Sequence, residues 1–148
     1  MPQSLARNVI HLIFSTKNRE PFIVPALREK LFAYLAGTLN TLKCPAIIVG
    51  GVSDHVHLLF CLARTMSLCD AVEEVKKSSS KWMKEQGVPL FYWQNGYGAF
   101  SVCPSIEDRV IDYIANQEVH HKVKTFQDEY REFLEKHRIE WDEKYVWD

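Results

Sequence analysis

The chain has 148 residues, 47% of them hydrophobic, with four cysteines and a formal net charge of −1. This length and apolar content fit a single domain over residues 1–148 with a real core, and exclude a low-complexity chain. The lack of a Cys-x-x-Cys pair argues against a zinc knuckle, and no apolar run approaches the length of a membrane span. Met1 to Ala6 lacks the basic start and apolar run of a secretory signal. The expectation is a cytoplasmic protein with four reduced, mostly buried thiols at Cys44, Cys61, Cys69 and Cys103.

Asn8 to Thr16 is a strand candidate, rich in branched and aromatic residues. A polar, basic loop, Lys17-Asn18-Arg19, follows it. Pro25 opens a helix in the favoured first-turn position, and Leu27, Leu31, Leu35, Leu39 and Leu42 keep helical spacing along it. Cys44 and Pro45 end that helix. Ala46 to Val49 and His55 to Leu62 read as two strands, joined by turn chemistry at Gly50-Gly51-Val52-Ser53-Asp54. Ser67 is an N-cap for a helix that runs to about Gln86 and stops at Gly87 and Pro89. Phe91 to Val102 reads as a fourth strand or a bent extended segment. Ser105 caps a helix through roughly His121. Thr125 caps a last amphipathic helix with Phe126, Tyr130, Phe133 and Leu134, and Trp141 to Asp148 packs back onto the body.

The order β-α-β-β-α-β followed by two helices predicts an α+β fold. Its sheet is antiparallel and ferredoxin-like (a split β-α-β) with helices on one face, plus C-terminal helices. A sheet of this kind leaves its other face open for a ligand.

Chemistry concentrates in two places. His55 and His57 lie two apart on a strand, so both imidazoles point to one face and Val56 to the other. Tyr113 and Gln117 lie one turn apart on a helix, flanked by Arg109, Asn116 and His120. Two neutral imidazoles and an amide oxygen give three ligands for a divalent cation, with positions left for a phosphate oxygen and water. Such a mixed set suits manganese or magnesium, and imidazole also admits zinc, nickel and copper. A tyrosine oxygen beside that cation suggests phosphoryl transfer through a covalent intermediate on nucleic acid. Its ordinary pKa is about 10, so it needs help to ionise near neutral pH.

Three blocks together resemble the single-tyrosine HUH transposases of insertion sequences of the IS-two-hundred type. They are His55-Val56-His57, the run Trp93-Gln94-Asn95-Gly96-Tyr97-Gly98-Ala99-Phe100-Ser101-Val102, and Tyr113-Ile114-Ala115-Asn116-Gln117 followed by His120-His121. The resemblance runs from the first strand to Phe133. It implies an enzyme that cuts and rejoins single-stranded DNA at hairpin-bearing ends through a 5′-phosphotyrosine, leaving a 3′-hydroxyl. It implies Tyr113 as nucleophile and His55, His57 and Gln117 as ligands of Mg2+ or Mn2+. It also implies a homodimer with no membrane partner, in the cytoplasm and at the nucleoid when bound to DNA.

Lys17, Arg19, Lys77, Lys81 and Lys84 are candidate phosphate contacts, because the balance between Lys17 and Lys84 is locally basic while acidic residues gather from Glu118 to Asp148. The near-neutral total charge weighs against a general backbone binder. Trp93 and Tyr97 are candidates for stacking on unpaired bases. His11 reads as structural, and His121 and His137 carry no assigned role. The competing readings are a nicking enzyme of replication or conjugation, a water-using phosphodiesterase, and a nucleic-acid-binding or domesticated protein that does not cleave.

Overall fold

Four strands and five α-helices make up a computed structural model that describes residues 2–148. The order is β1 (Asn8–Ser15), α1 (Pro25–Thr41), β2 (Ala46–Gly51), β3 (His55–Leu62), α2 (Leu68–Glu85), β4 (Gly98–Val102), α3 (Pro104–Ala115), α4 (Gln117–His120) and α5 (Phe126–Lys136). The sheet order is β2-β3-β1-β4, and every neighbouring pair is antiparallel. This is the split β-α-β arrangement of a ferredoxin-like α+β fold.

The period-2 alternation of β1 and β3 divides their side chains between two layers. Leu12, Phe14, Val56, Leu58 and Phe60 face α1 and α2, where they meet Leu31, Leu35, Leu39, Val72, Val75 and Met83. Leu31, Leu35 and Leu39 recur at four-residue spacing, so one stripe of α1 is buried. Ser67 caps α2, its Oγ accepting from the Asp70 N–H at 3.0 Å.

The opposite face is covered rather than open. Ile114 of α3 packs with Val9, Leu59 and Val102, while Phe126, Tyr130 and Leu134 of α5 pack with Ile13 and Phe100. Two glycines permit this approach. A Cβ on Gly50 would lie 2.5 Å from the Ile114 carbonyl oxygen, and one on Gly98 would lie 2.7 Å from the Tyr130 ring. Trp141, Val146 and Trp147 complete the α5 layer, and Gly96 N–H donates to the Asp148 carbonyl at 2.8 Å.

Four local features differ from the pattern in the sequence. Only Gly98–Val102 of the 91–102 stretch is a strand, and Trp93 makes a single bridge to Thr16. The bend between them is held by Lys76, whose ammonium donates to the carbonyls of Gln94, Asn95 and Gly96 at 2.9, 3.2 and 2.6 Å. Burial lowers the pKa of that lysine to about 8. Second, the helix expected from Ser105 to His121 begins at Pro104 with Cys103 as N-cap, because proline suits the first helical position. Third, it breaks at Asn116, whose side-chain amide donates to the Asp112 carbonyl at 2.7 Å and competes with the helical ladder. Finally, only Cys44 is fully buried; Cys69 and Cys103 are exposed because each lies at the start of a helix, away from the core. Among the described residues, no helix is long and apolar enough to cross a membrane.

Candidate active site

The α3–α5 face of the sheet carries a buried polar cluster. The β1–β3 register sets Ile13 opposite His57 and Ser15 opposite His55, and His11 lies on the same face. His11, His55, His57, Gln117 and Glu129 are all buried. His55, His57, His121 and Glu129 each offer one ligand atom, and these atoms lie within 4.8 Å of one another, so the group could hold a metal ion.

The hydrogen bonds around the imidazoles decide which nitrogen faces the centre. His55 Nδ1 lies 2.7 Å from Asp54 Oδ1, and His121 Nδ1 lies 2.8 Å from the Lys124 carbonyl. Both partners accept only, so each Nδ1 carries the proton. His57 Nδ1 meets His11 Nε2 at 2.8 Å, and a proton on the His57 side completes the pattern. All three rings then turn Nε2 inward. Gln117 Oε1 lies 3.2 Å from His55 Nε2 and 3.0 Å from His121 Nε2. Glu129 Oε1 lies 2.8 Å from His57 Nε2, and Oε2 lies 2.8 Å from His121 Nε2. Rings oriented through their outer nitrogens are the usual surroundings of metal-bound histidines.

Two atoms make the fit to a cation specific. His57 Nε2 and Glu129 Oε1 are buried and neither has a hydrogen-bond partner, although they lie 2.8 Å apart. Buried polar atoms are normally satisfied, and a cation between such lone pairs would satisfy both. Burial holds His57 neutral, with its pKa lowered to about 4 against a smaller opposing pull from Glu129. Burial, reinforced by His57, likewise keeps His11 well below its ordinary value. Neutral imidazole is the form that binds metal. Burial also opposes charge on His121 and Glu129. Their contact overcomes it, raising the histidine and holding the carboxylate below the ordinary range.

Tyr113 reaches the same carboxylate. Its hydroxyl donates to Glu129 Oε2, and its ring stacks on His120 with centroids 4.6 Å apart. Gln117 is held beside it by an Nε2 bond to the Tyr113 carbonyl at 3.3 Å, across the helix break. Burial, then the charge of Glu129 and the hydrogen bond to it, pushes the phenol above its ordinary range, so Tyr113 is protonated in this arrangement.

The other candidates disperse. Lys77, Lys81 and Lys84 belong to α2, on the far face of the sheet, and Lys84 Nζ sits 4.2 Å over the Tyr92 ring. Lys17 and Arg19 follow Ser15 at the His55 end of the sheet, with the Arg19 guanidinium 5.9 Å over Trp147. Trp93 is a core residue that donates to Ser79 Oγ at 2.9 Å, which removes it as a base-stacking surface, whereas Tyr97 stays partly exposed. Arg109 is exposed beside Tyr113, in a cleft between α3 and α5.

His121 and Glu129 carry no role in the sequence reading. Each left a faint signal: His121 stands four residues after Gln117, and Glu129 interrupts the apolar stripe of Phe126, Tyr130 and Phe133.

Residues 4–117 match the family model described as transposase, IS200-like. The chain belongs to the IS200-like transposase family. The match ends at Gln117, so His121 and Glu129 of this transposase lie beyond it. No curated protein is similar enough to count as a match. Among solved structures, one similar to this transposase is a candidate transposase from Deinococcus radiodurans R1. It is 22% identical with a TM-score of 0.61, over 79% of this chain and 98% of that one. Another is a REP-associated tyrosine transposase bound to a REP hairpin, 14% identical with a TM-score of 0.62, over 82% of this chain and 73% of that one. At these identities the likeness concerns the fold.

Proposed function

We propose that this transposase cleaves and rejoins single-stranded DNA at hairpin-bearing ends through a 5′-phosphotyrosine at Tyr113, with a divalent cation held by His55, His57 and Gln117. His121 and Glu129 join that ligand set. The observation that carries the reading is the convergence of three inward imidazole nitrogens and the Tyr113 hydroxyl on one buried carboxylate. A bound cation would polarise the scissile phosphate and offset negative charge in the transition state. With three nitrogen donors, manganese suits this set better than magnesium, which prefers oxygen and near-octahedral geometry.

The residues of the chain supply the rest. The phenol oxygen forms a bond to phosphorus, and the bond from phosphorus to the 3′ oxygen breaks. That oxygen takes up the proton that Tyr113 gives up to Glu129 and leaves as a 3′-hydroxyl, while the 5′ phosphate stays on Tyr113. Attack by a 3′-hydroxyl reverses the step and joins strands without an external energy source. The phenol must first surrender its proton, and Glu129 Oε2 is the acceptor already in contact with it. A homodimer and hairpin recognition are parts of the proposal that follow from the resemblance in the three sequence blocks.

The test mixes the protein with end-labelled single-stranded DNA carrying hairpins, plus manganese or magnesium, and resolves products on a denaturing gel. Label at the mass of the protein is expected, and should vanish in Tyr113→Phe and with chelator. Cleaved DNA without an adduct would mean that water is the nucleophile. Mass in solution checks the dimer.

A further inference from the structure

We propose that the cleft between α3 and α5 seats an unpaired nucleotide of the DNA strand, with Arg109 and Lys136 on its phosphates. The inference rests on the reading of Tyr113 as the residue that engages the strand. The cleft has a volume of about 360 Å³, and Tyr113 forms part of its wall. It is large enough for a small ligand and far too small for a duplex.

Its chemistry is divided as a nucleotide is divided. Ile106, Val110 and Phe133 give an apolar wall. Phe133 is held rigidly, stacked on Phe100 with centroids 5.5 Å apart, and every base has a face that packs on such a ring. Around this wall stand Arg109, Lys124 and Lys136, against one carboxylate, Glu132. Lys124 pairs with Glu132 at 2.6 Å, so their charges offset each other. Arg109 and Lys136 are exposed and have no ion-pair partner among the described residues. Two unpaired cations flanking an apolar wall complement a strand of phosphates and bases.

The position adds the functional sense. His11 closes the cleft on the sheet side, and its Nε2 contacts His57 of the metal cluster. The cleft thus opens on the Tyr113 ring and backs onto the imidazoles. A strand held by Arg109 and Lys136 runs past the phenol, so a neighbouring phosphate comes within its reach. The sequence reads as acidic from Glu118 onward; the fold brings Lys136 of that stretch beside Arg109 of α3.

The experiment measures binding of labelled oligothymidine and of a blunt duplex by fluorescence anisotropy over a salt series. It uses the wild-type chain and the double variant Arg109→Ala, Lys136→Ala. Neither residue touches the imidazoles, Glu129 or the Tyr113 hydroxyl, and both are exposed, so folding should be unaffected. The expected result is at least tenfold weaker oligothymidine binding by the double variant, with little change on the duplex. The slope of log affinity against log salt should fall by about 0.7 for each lost phosphate contact. Equal binding by the two proteins, or no binding of oligothymidine by the wild type at low salt, would overturn the proposal. So would thymidine monophosphate binding as tightly as the strand, since the site would then serve a free nucleotide. The adduct assay separates the two readings. A binding defect without adducts in any protein keeps the cleft and removes the strand-transfer reading. Adducts at wild-type yield with unchanged affinity do the reverse.

Discussion

The two faces of the sheet are built from alternate residues of the same strands, yet they are opposite in character. Toward α1 and α2, Leu12, Phe14, Val56, Leu58 and Phe60 form an apolar layer with no exposed side chain. Toward α3 and α5, His11, His55 and His57 are interleaved with Val9, Ile13 and Leu59 and meet a buried Glu129 and Gln117. The first face gains stability from area removed from water. The second spends part of that stability on buried polar groups, two of which have no hydrogen-bond partner. The lesson is a division of labour within β3: Val56 and Leu58 hold the strand still so that His55 and His57 are aimed.

The sharpest break in this comparison is Tyr113→Phe. It should abolish the covalent adduct outright while the melting temperature stays near that of the wild type, because the ring and its stacking on His120 remain. A calorimetric scan beside the denaturing gel checks both halves.

Next comes Leu58→Ala on the opposite face. It should cost about 2–5 kcal/mol in stability, as a fully buried leucine leaves a cavity. Denaturant unfolding reads the loss, and the activity of the remaining folded fraction should be unchanged. A larger effect on catalysis than on stability would show that the faces are not separate.

A smaller effect is expected from Asp54→Asn. Asp54 accepts from His55 Nδ1 and so fixes the nitrogen that faces the cluster. Its loss should weaken manganese binding roughly tenfold to a hundredfold, measured by titration calorimetry.

The last prediction concerns pH in the presence of chelator. His11 and His57 stay neutral in the fold below their ordinary value of 6.5, with His57 lowered to about 4. The unfolded chain then binds more protons, so stability falls as the pH drops from 6.5 toward 4. His121 is raised, so its contribution is full below 6.5 and is lost as the pH climbs through its folded value. Between pH 4 and 8, below the range in which Lys76 loses its proton, the chelated protein should therefore be most stable near pH 6.5, with slopes of at most about 1.4 kcal/mol per pH unit for each proton. Thermal scans across pH check this, and His121→Gln should flatten the alkaline side alone.

Much of this molecule is legible in local pattern. The leucine spacing of α1, the caps Ser67 and Thr125, and the alternation through His55-Val56-His57 follow from periods of 3.6 and 2 and from capping chemistry. Those periods also place Tyr113 and Gln117 on a common side, and Gln117 keeps that side across the break at Asn116 because its amide bonds the Tyr113 carbonyl. The break itself has no periodic signal. It arises from competition between one side chain and the ladder.

What only the tertiary structure decided is which distant groups share the cluster. His55 and Gln117 are 62 residues apart, and the contact exists because Gly50 lets α3 close on the sheet. Glu129 enters because Gly98 lets Tyr130 lie against β4, which turns the carboxylate inward. Along the sequence His121 and Glu129 belong to a polar, acid-rich stretch, and nothing in their spacing points to His57. A helical or strand period reports which side of an element is buried. It does not report what lies across from that side, because that is set by long-range packing between elements whose order of contact no local repeat encodes.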